Sequence, residues 1–322
     1  MGVRFRVDGF LIALSAVIAM AALWPAPGAT GGVLHADLLS GYGIVAVFFL
    51  YGLTLAPEKL RAGIGRWPVH IVAQAGTFVV FPVIVLLAGT LHADRMSGGL
   101  WLGFLYIAAL PSTVSSSVAM TSIAKGNVPV AIFNASLSSF LGVVLTPLLV
   151  AWSIETTGGS LPLGAVIGKI TLLVLVPMLA GLALHRWAYD YALRNIRVIR
   201  LVDRGVILAI VYNSFSDSIG GGVWSGQGPG MLALVMACAI LLFFAAFSSV
   251  MLVCRLLRFN REDTIACLFC ASTKSLATGV PLAGVLFAET SMRGLILVPL
   301  MIYHLCQLVI ASALAGNHAR DD

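Results

Sequence analysis

Ten stretches of mostly apolar residues follow one another along the chain, at roughly 9–24, 38–56, 68–90, 98–124, 128–153, 162–185, 201–220, 230–254, 264–289 and 294–315. A helix needs about 20 such residues to cross a bilayer, and helices and closed barrels alone satisfy their own backbone in hydrocarbon. Runs this long and unalternating select the helix, so the fold class is an all-α polytopic membrane protein. Charged residues make up 10% of the 322, against about a quarter in a soluble domain. A water-soluble globule could not cover itself with so little polar surface. The gaps between runs are short, and residues 1–322 are expected to form a single membrane domain.

The net charge of +6 does not mark a nucleic-acid partner, because the basic residues lie between the runs and form no stripe of their own. With the N-terminus inside, the cytoplasmic segments hold Arg4, Arg6, Lys59, Arg61, Arg66, Lys125, Arg186, Arg194, Arg197, Arg200, Arg255, Arg258, Arg261 and Arg320, 14 of the 19. The outer loops hold Arg95 and Arg293, and Lys169, Arg204 and Lys274 fall within or at the edge of runs. Lys and Arg accumulate on the cytoplasmic side, so both termini are expected there. Arg4, Arg6 and the first run ahead of Pro25 could pass for a secretory signal. The count of ten and the symmetry described next favour a retained helix. The five cysteines lie in or beside apolar runs, where a thiol stays protonated, so Cys267-x-x-Cys270 is read as packing.

Ten runs divide into two sets of five, and an odd set reverses its topology. Transporters built from inverted repeats place their site where matching helices are broken near the midplane. The fourth run contains Leu110-Pro111-Ser112-Thr113-Val114-Ser115-Ser116-Ser117, and the ninth contains Ser272-Thr273-Lys274-Ser275, followed by Gly279-Val280-Pro281. Ser-Thr-x-Ser thus occurs at the fourth position of each half, beside a proline. Proline removes a backbone donor and displaces the carbonyl one turn earlier. Freed backbone groups cost several kcal/mol each in hydrocarbon unless a hydroxyl, a cavity or a ligand satisfies them. The two segments are therefore expected to be broken helices that meet at a site. The repeats would span about 9–153 and 162–315.

These residues, from Leu110 through Lys125-Gly126-Asn127 and from Ser272 to Ala277 with Pro281, resemble the bile acid:sodium symporter superfamily, more narrowly its bacterial SBF-like branch. Phe48-Phe49-Leu50-Tyr51-Gly52, Phe81-Pro82 and Pro299-Leu300-Met301-Ile302 carry the likeness along nearly the whole chain. The resemblance implies a core of spans three to five and eight to ten, with spans four and nine broken and crossing. Spans one, two, six and seven would form a panel. It further implies a small organic anion as substrate, bound between panel and core, two sodium ions behind the crossing, no other cofactor, and a bacterial inner membrane as the location. The sodium ligands do not carry over whole. Ser117 matches a ligand serine and Thr77 stands where a glutamine is expected, with Gln74 about one turn earlier. Val118 replaces an asparagine, and Ala131 and Ala135 replace hydroxyls near Asn134, Ser136 and Ser138. Between Asp263 and Glu289 there is no acid to supply the glutamate of span nine.

Lys274 stands in that acid-free span instead. A lysine at the centre of a helix costs about 2.5–3.5 kcal/mol on insertion scales, and Lys274 lies too deep to snorkel as Lys169 can. Its ammonium is expected to occupy the space of a sodium ion, bonded to Ser and Thr hydroxyls and to Asn134. It would serve as a tethered cation, or as a proton carrier should desolvation favour its neutral form. The ion-coupling set at the crossing is then Ser112, Thr113, Ser115, Ser116, Ser117, Asn134, Ser138, Ser272, Thr273, Lys274 and Ser275. Asn213 and Ser214 on the panel and His304 on span ten are the substrate candidates, with Gln307 on the same face as His304. No His-Glu-x-x-His, Gly-x-Ser-x-Gly, Gly-x-Gly-x-x-Gly or Walker pattern points to an enzyme. The leading reading is a secondary transporter. A channel or ion-regulating membrane protein without coupled transport is the alternative.

Overall fold

The computed structural model describes residues 9–54, 65–92, 96, 98–156, 168–225, 228–288 and 290–319. Arg4, Arg6, Lys59, Arg61, Arg95 and Arg320, which bear on orientation, and the start of the sixth run lie outside the described residues. Among those described, all regular structure is helical. The helices are α1 (Gly9–Leu23), α2 (Ala36–Thr54), α3 (Trp67–Ala75), α4 (Phe81–His92), α5 (Gly98–Ala109), α6 (Ser115–Ile123) and α7 (Val128–Thr156). They continue as α8 (Val176–Arg194), α9 (Ile196–Gly220), α10 (Pro229–Leu256), α11 (Arg261–Ser272), α12 (Leu276–Leu286) and α13 (Arg293–His318).

Seven described stretches are long and apolar enough to cross a membrane. Three of the ten runs fall outside that count. α1 has 15 described residues, starting at the first residue described, and α5 has 12, because its run is broken before α6 begins. α9 is long enough but carries Arg197, Arg200, Asp203, Arg204 and Asp217.

Two π-helical turns, Gly76–Val80 and Thr171–Leu175, precede α4 and α8. Each ends two residues before a proline, Pro82 and Pro177. A proline ring clashes with the carbonyl four residues back and offers no N–H. A widened turn at that point relieves the clash and leaves a carbonyl for other donors.

The chain divides into two compact units. The first comprises Met1–Thr54, Thr171–Gly226 and Val280–Leu295. Its α2 and α8 touch backbone to backbone. A Cβ on Gly52 would lie 1.9 Å from the Met178 carbonyl oxygen, and one on Gly181 would lie 2.0 Å from that of Phe49. Small residues permit this close approach, the usual way membrane helices gain packing where no hydrophobic force draws them together. Phe48 is fully buried, in keeping with packing.

The second unit comprises Leu55–Ile170, Gln227–Gly279 and Ile296–Asp322. Two of its helix starts are capped by asparagine side chains. The Asn260 side chain accepts the Asp263 N–H at 2.8 Å, and Glu262 and Asp263 place negative charge in the first turn of α11. Asn127 caps α7 by accepting the Val130 N–H, and its amide donates to Asp263 at 2.8 Å. Lys125, at φ 56°, makes the left-handed turn that leads there from α6.

Candidate functional site

The site is best built from the backbone groups that the two breaks release. α5 stops at Ala109, and residues 110–114 are unwound before α6. α11 stops at Ser272, and residues 273–275 are unwound before α12. Both expected breaks are present, with one correction of cause. Pro111 lies in its break, whereas Pro281 lies inside α12 and does not make the second one.

Five backbone groups at the first break have partners within the unit. The Ala109 carbonyl accepts from the Thr146 hydroxyl at 2.7 Å, and the Pro111 carbonyl accepts the Ser275 N–H at 2.9 Å. The Ser112 N–H donates to Ser138 Oγ at 2.9 Å. The carbonyls of Ala108 and Leu110 accept from Lys274 Nζ at 3.0 and 2.8 Å. A third bond runs from Nζ to the Thr77 carbonyl at 2.8 Å. The π-turn explains why Thr77 is available. The Phe81 N–H reaches back to Gly76, and the next N–H in that register would belong to Pro82, which has none. The Phe81 ring closes the cage, with its centroid 4.1 Å from Nζ.

Lys274 is fully buried, and its head meets three carbonyl oxygens, one for each proton of an ammonium. A neutral amine would aim its lone pair at one of them. The arrangement offers an acceptor to every N–H of an ammonium at the C-terminal end of α5, where the helix dipole and orphan carbonyls favour positive charge. The expected partners were different. The Ser and Thr hydroxyls and Asn134 make no bond to Nζ, because those hydroxyls serve the backbone instead.

The hydroxyls tie the two breaks together and cap the half-helices. Ser112 Oγ and Thr273 Oγ1 lie 3.2 Å apart. Thr113 Oγ1 accepts the Ser116 N–H and meets the Ser116 hydroxyl, while Ser275 Oγ accepts the Thr278 N–H at 3.1 Å. Ser272 and Thr273 donate to the carbonyls of Leu268 and Phe269. Ser115 begins α6. Ser117 donates to the Thr113 carbonyl, and Thr77 Oγ1 donates to the Ala73 carbonyl.

The carbonyls of Thr77, Ala108 and Leu110 hold the Lys274 amino group, and the two candidate sodium-ligand hydroxyls, of Ser117 and Thr77, donate to carbonyls of their own segments while keeping their oxygen lone pairs.

Gln307 gained its importance from the structure. Its side-chain amide clamps the Lys274 backbone, Oε1 accepting the N–H at 2.7 Å and Nε2 donating to the carbonyl at 2.9 Å. His304 Nδ1 lies 2.9 Å from the same Nε2, so it stands behind the clamp. Tyr303 and Tyr106 donate to the carbonyls of Ser272 and Gly279. No motif marks these residues, because their partners are backbone groups, which carry no signature in sequence.

Asn134 sits apart from Lys274, with His70 Nδ1 at 3.1 Å and Gln74 Nε2 within 3.3 Å of its Oδ1. Asn213 and Ser214 belong to the first unit. Asn213 donates to the Gly28 carbonyl at 3.0 Å and accepts from Arg293 at 2.6 Å, and Ser214 is fully buried. Asp217 accepts the N–H and hydroxyl of Thr30, both at 2.8 Å, and pairs with Arg293 at 3.3 Å.

Discontinuous membrane helices that meet through unwound, side-chain-satisfied backbone are the device of transporters, and the bundle defines an integral membrane protein of that class. The model of the SBF-like CPA transporter family matches residues 8–320, and the chain belongs to this family, within the bile acid:sodium symporter superfamily. It is 43% identical over 319 residues to an uncharacterized protein of Pseudomonas aeruginosa, covering 98% of this chain and 94% of that one. It is 37% identical over 319 residues to YfeH of Escherichia coli K12, with the same coverage. It is 32% identical over 314 residues to sodium/bile acid cotransporter 7 of Danio rerio, covering 97% and 93%.

Proposed function

We propose that this chain is a secondary-active transporter that moves a small organic anion across the bacterial inner membrane by alternating access, with the Lys274 ammonium in the place of a coupling sodium ion. The observation that carries the reading is the cage, in which a tethered cation satisfies backbone from both the π-turn and the first break. A fixed cation needs no sodium, so transport runs on protons or on the anion gradient. YfeH carries the provisional name of a symporter, and the Danio rerio relative is named a sodium/bile acid cotransporter. An anion as cargo is taken from that kinship.

In this reading ten spans form two inverted five-helix repeats, about 9–153 and 162–315, with both ends cytoplasmic. Breaks in the fourth and ninth spans support the repeat. The second unit is the core and the first, with Asn213 and Ser214 as substrate residues, is the panel. The division of the chain into these units supports the grouping except at Val280–Leu295, part of spans nine and ten, which falls in the first unit. His304 takes a supporting place behind the Gln307 clamp.

Two measurements test the function. A thermal-shift screen of organic anions on the purified protein is expected to find one that raises the melting temperature, since a ligand of the folded state stabilises in proportion to occupancy. That anion, radiolabelled, is then expected to enter proteoliposomes saturably and at the same rate in sodium and choline buffers. Conductance in a planar bilayer without saturable uptake would replace the transporter by a channel. Uptake that requires sodium would remove the tethered cation from the account.

A further inference from the structure

Between α1 and α2 the chain folds back on its own unit. Residues 24–35 form a strap of successive turns. The Pro25 carbonyl accepts from the N–H groups of Gly28 and Ala29 at 3.1 Å, and Leu34 closes back on the Pro27 carbonyl at 3.2 Å. The strap lies on one face of α9. Tyr212, Asn213, Ser216 and Asp217 share that face, because residues four apart in a helix stack one above the other. The Tyr212 hydroxyl donates to the Trp24 carbonyl at 2.9 Å. A Cβ on Gly28 would lie 2.3 Å from the Tyr212 ring and 2.6 Å from Ser216 Oγ, so a glycine is needed for this approach.

Polar bonds hold the strap there more than apolar burial does. Asn213 Nδ2 donates to the Gly28 carbonyl at 3.0 Å, and Asp217 accepts the N–H and the hydroxyl of Thr30, one on each carboxylate oxygen. Arg293, at the start of α13, sets both side chains. Its Nη2 donates to Asn213 Oδ1 at 2.6 Å and to Asp217 Oδ2 at 3.3 Å. With its oxygen engaged, the Asn213 amide turns its NH2 to the strap. Ser218 Oγ accepts the Gly294 N–H and donates to the Ser291 carbonyl, which fixes the start of α13 against α9. Of the strap itself only Pro27 and Gly28 are buried, while Val33 is 86% exposed. Few buried apolar contacts and exposed hydrogen bonds place a segment at the low-stability end of a structure. The face beneath is of the opposite kind. Asn213 and Ser216 are buried, and Ser216 Oγ has no hydrogen-bond partner. Buried hydroxyls are almost always paired, so a face that served only to seat the strap would have no use for this one.

We propose that residues 24–35 are a lid on the polar face of α9, latched by Thr30 to Asp217 under the hold of Arg293, and that its release uncovers Asn213 and Ser216. The lid as an entry for the anion to Asn213 rests on the transport reading; the lid itself does not. In the proposed orientation it lies on the outer side. Its internal turns let it swing as one piece. Release frees the NH2 of Asn213 while Arg293 still holds the oxygen, so the amide is already aimed at whatever enters.

Ser216→Cys places a thiol beneath the lid. Ser214→Cys, two residues earlier and so on the other side of α9, is the control at the same depth, and Ser214 is buried as fully. Each full-length variant in detergent is treated with a sulfonated maleimide, which needs a thiolate in contact with water, and labelling at the new thiol is followed by mass spectrometry. The thiol of Ser216→Cys is expected to label faster than that of Ser214→Cys. Adding Thr30→Val or Asp217→Asn is expected to speed labelling under the lid about tenfold, the effect of losing a charge-assisted bond. Labelling of Ser214→Cys is expected to stay unchanged. Equal rates at the two positions overturn the lid, and acceleration at both means that α9 frays and overturns it too. No acceleration at Ser216→Cys overturns the latch. Should the cysteine variants not fold, hydrogen exchange of Asp217→Asn decides. The amides of residues 28–32 are expected to exchange faster than in the parent with those of α9 unchanged; a strap that exchanges as in the parent, or acceleration shared by α9, overturns the proposal. Neither readout uses an anion, so a failed anion screen leaves the lid standing, and a failed lid leaves the screen standing.

Discussion

Lys274 is worth more than its charge because three backbone carbonyls depend on it. Replacing it with Met removes a donor from each, and an unsatisfied buried acceptor costs roughly 1–3 kcal/mol. Part of this is offset, because the buried ammonium and its desolvation disappear with the side chain. The expected net loss is about 2–4 kcal/mol, read as a fall of several degrees in the melting temperature in detergent. Lys274→Arg is expected to do no better, since a planar fork cannot match three acceptors arranged around one nitrogen. Arg retaining parental stability would show that charge alone, without the tripod, suffices. Gln307→Leu strips partners from the Lys274 N–H and carbonyl together and is expected to cost about 2–4 kcal/mol on the same reasoning. A melting temperature within a degree of the parent would show that water takes over the clamp. Lys274 itself was legible in the sequence, because a cation in a span without acids demands a reason. Its partners were not. Sequence shows hydroxyls, whereas the acceptors are backbone carbonyls, and any residue could have supplied those.

At the scale of the helix, the account turns on small residues and prolines. Gly52→Ala or Gly181→Ala places a methyl about 2 Å from a carbonyl oxygen, so α2 and α8 must separate. Overpacking of this kind costs about 1–3 kcal/mol. The expected result is a melting temperature lowered in each single variant and by less than the sum in the double, since one separation accommodates both methyls. Full additivity would place the two contacts in independent seams. Pro82→Ala restores an N–H that can reach the Thr77 carbonyl. It is expected to change stability by less than about 1 kcal/mol while loosening one leg of the cage, seen as faster hydrogen exchange of the Lys274 ammonium. Unchanged exchange would mean that the π-turn does not depend on its proline. Most spans and both breaks could be read from apolar length and from Ser-Thr-x-Ser. The role given to Pro281 could not, because a proline in the first turns of a half-helix and one in the unwound segment look alike in sequence. The π-turns were also hidden, although each precedes a proline at the same offset.

For the molecule as a whole, membership of the SBF-like CPA transporter family sets the class, and the cage sets what distinguishes this chain within the reading proposed for it. A covalently attached cation is present at every sodium concentration, so neither stability nor anion uptake should respond to sodium. The most direct test compares the melting temperature of the parent and of Lys274→Ala in sodium and choline chloride at equal ionic strength. Truncation to Ala leaves the three carbonyls facing a space that a small cation can enter. The parent is predicted to melt at the same temperature in both salts, while Lys274→Ala melts lower in choline and recovers part of the loss in sodium or methylammonium. Stabilisation of the parent by sodium, with no cation-specific recovery in the Ala variant, would contradict the claim that Lys274 stands in for a bound cation.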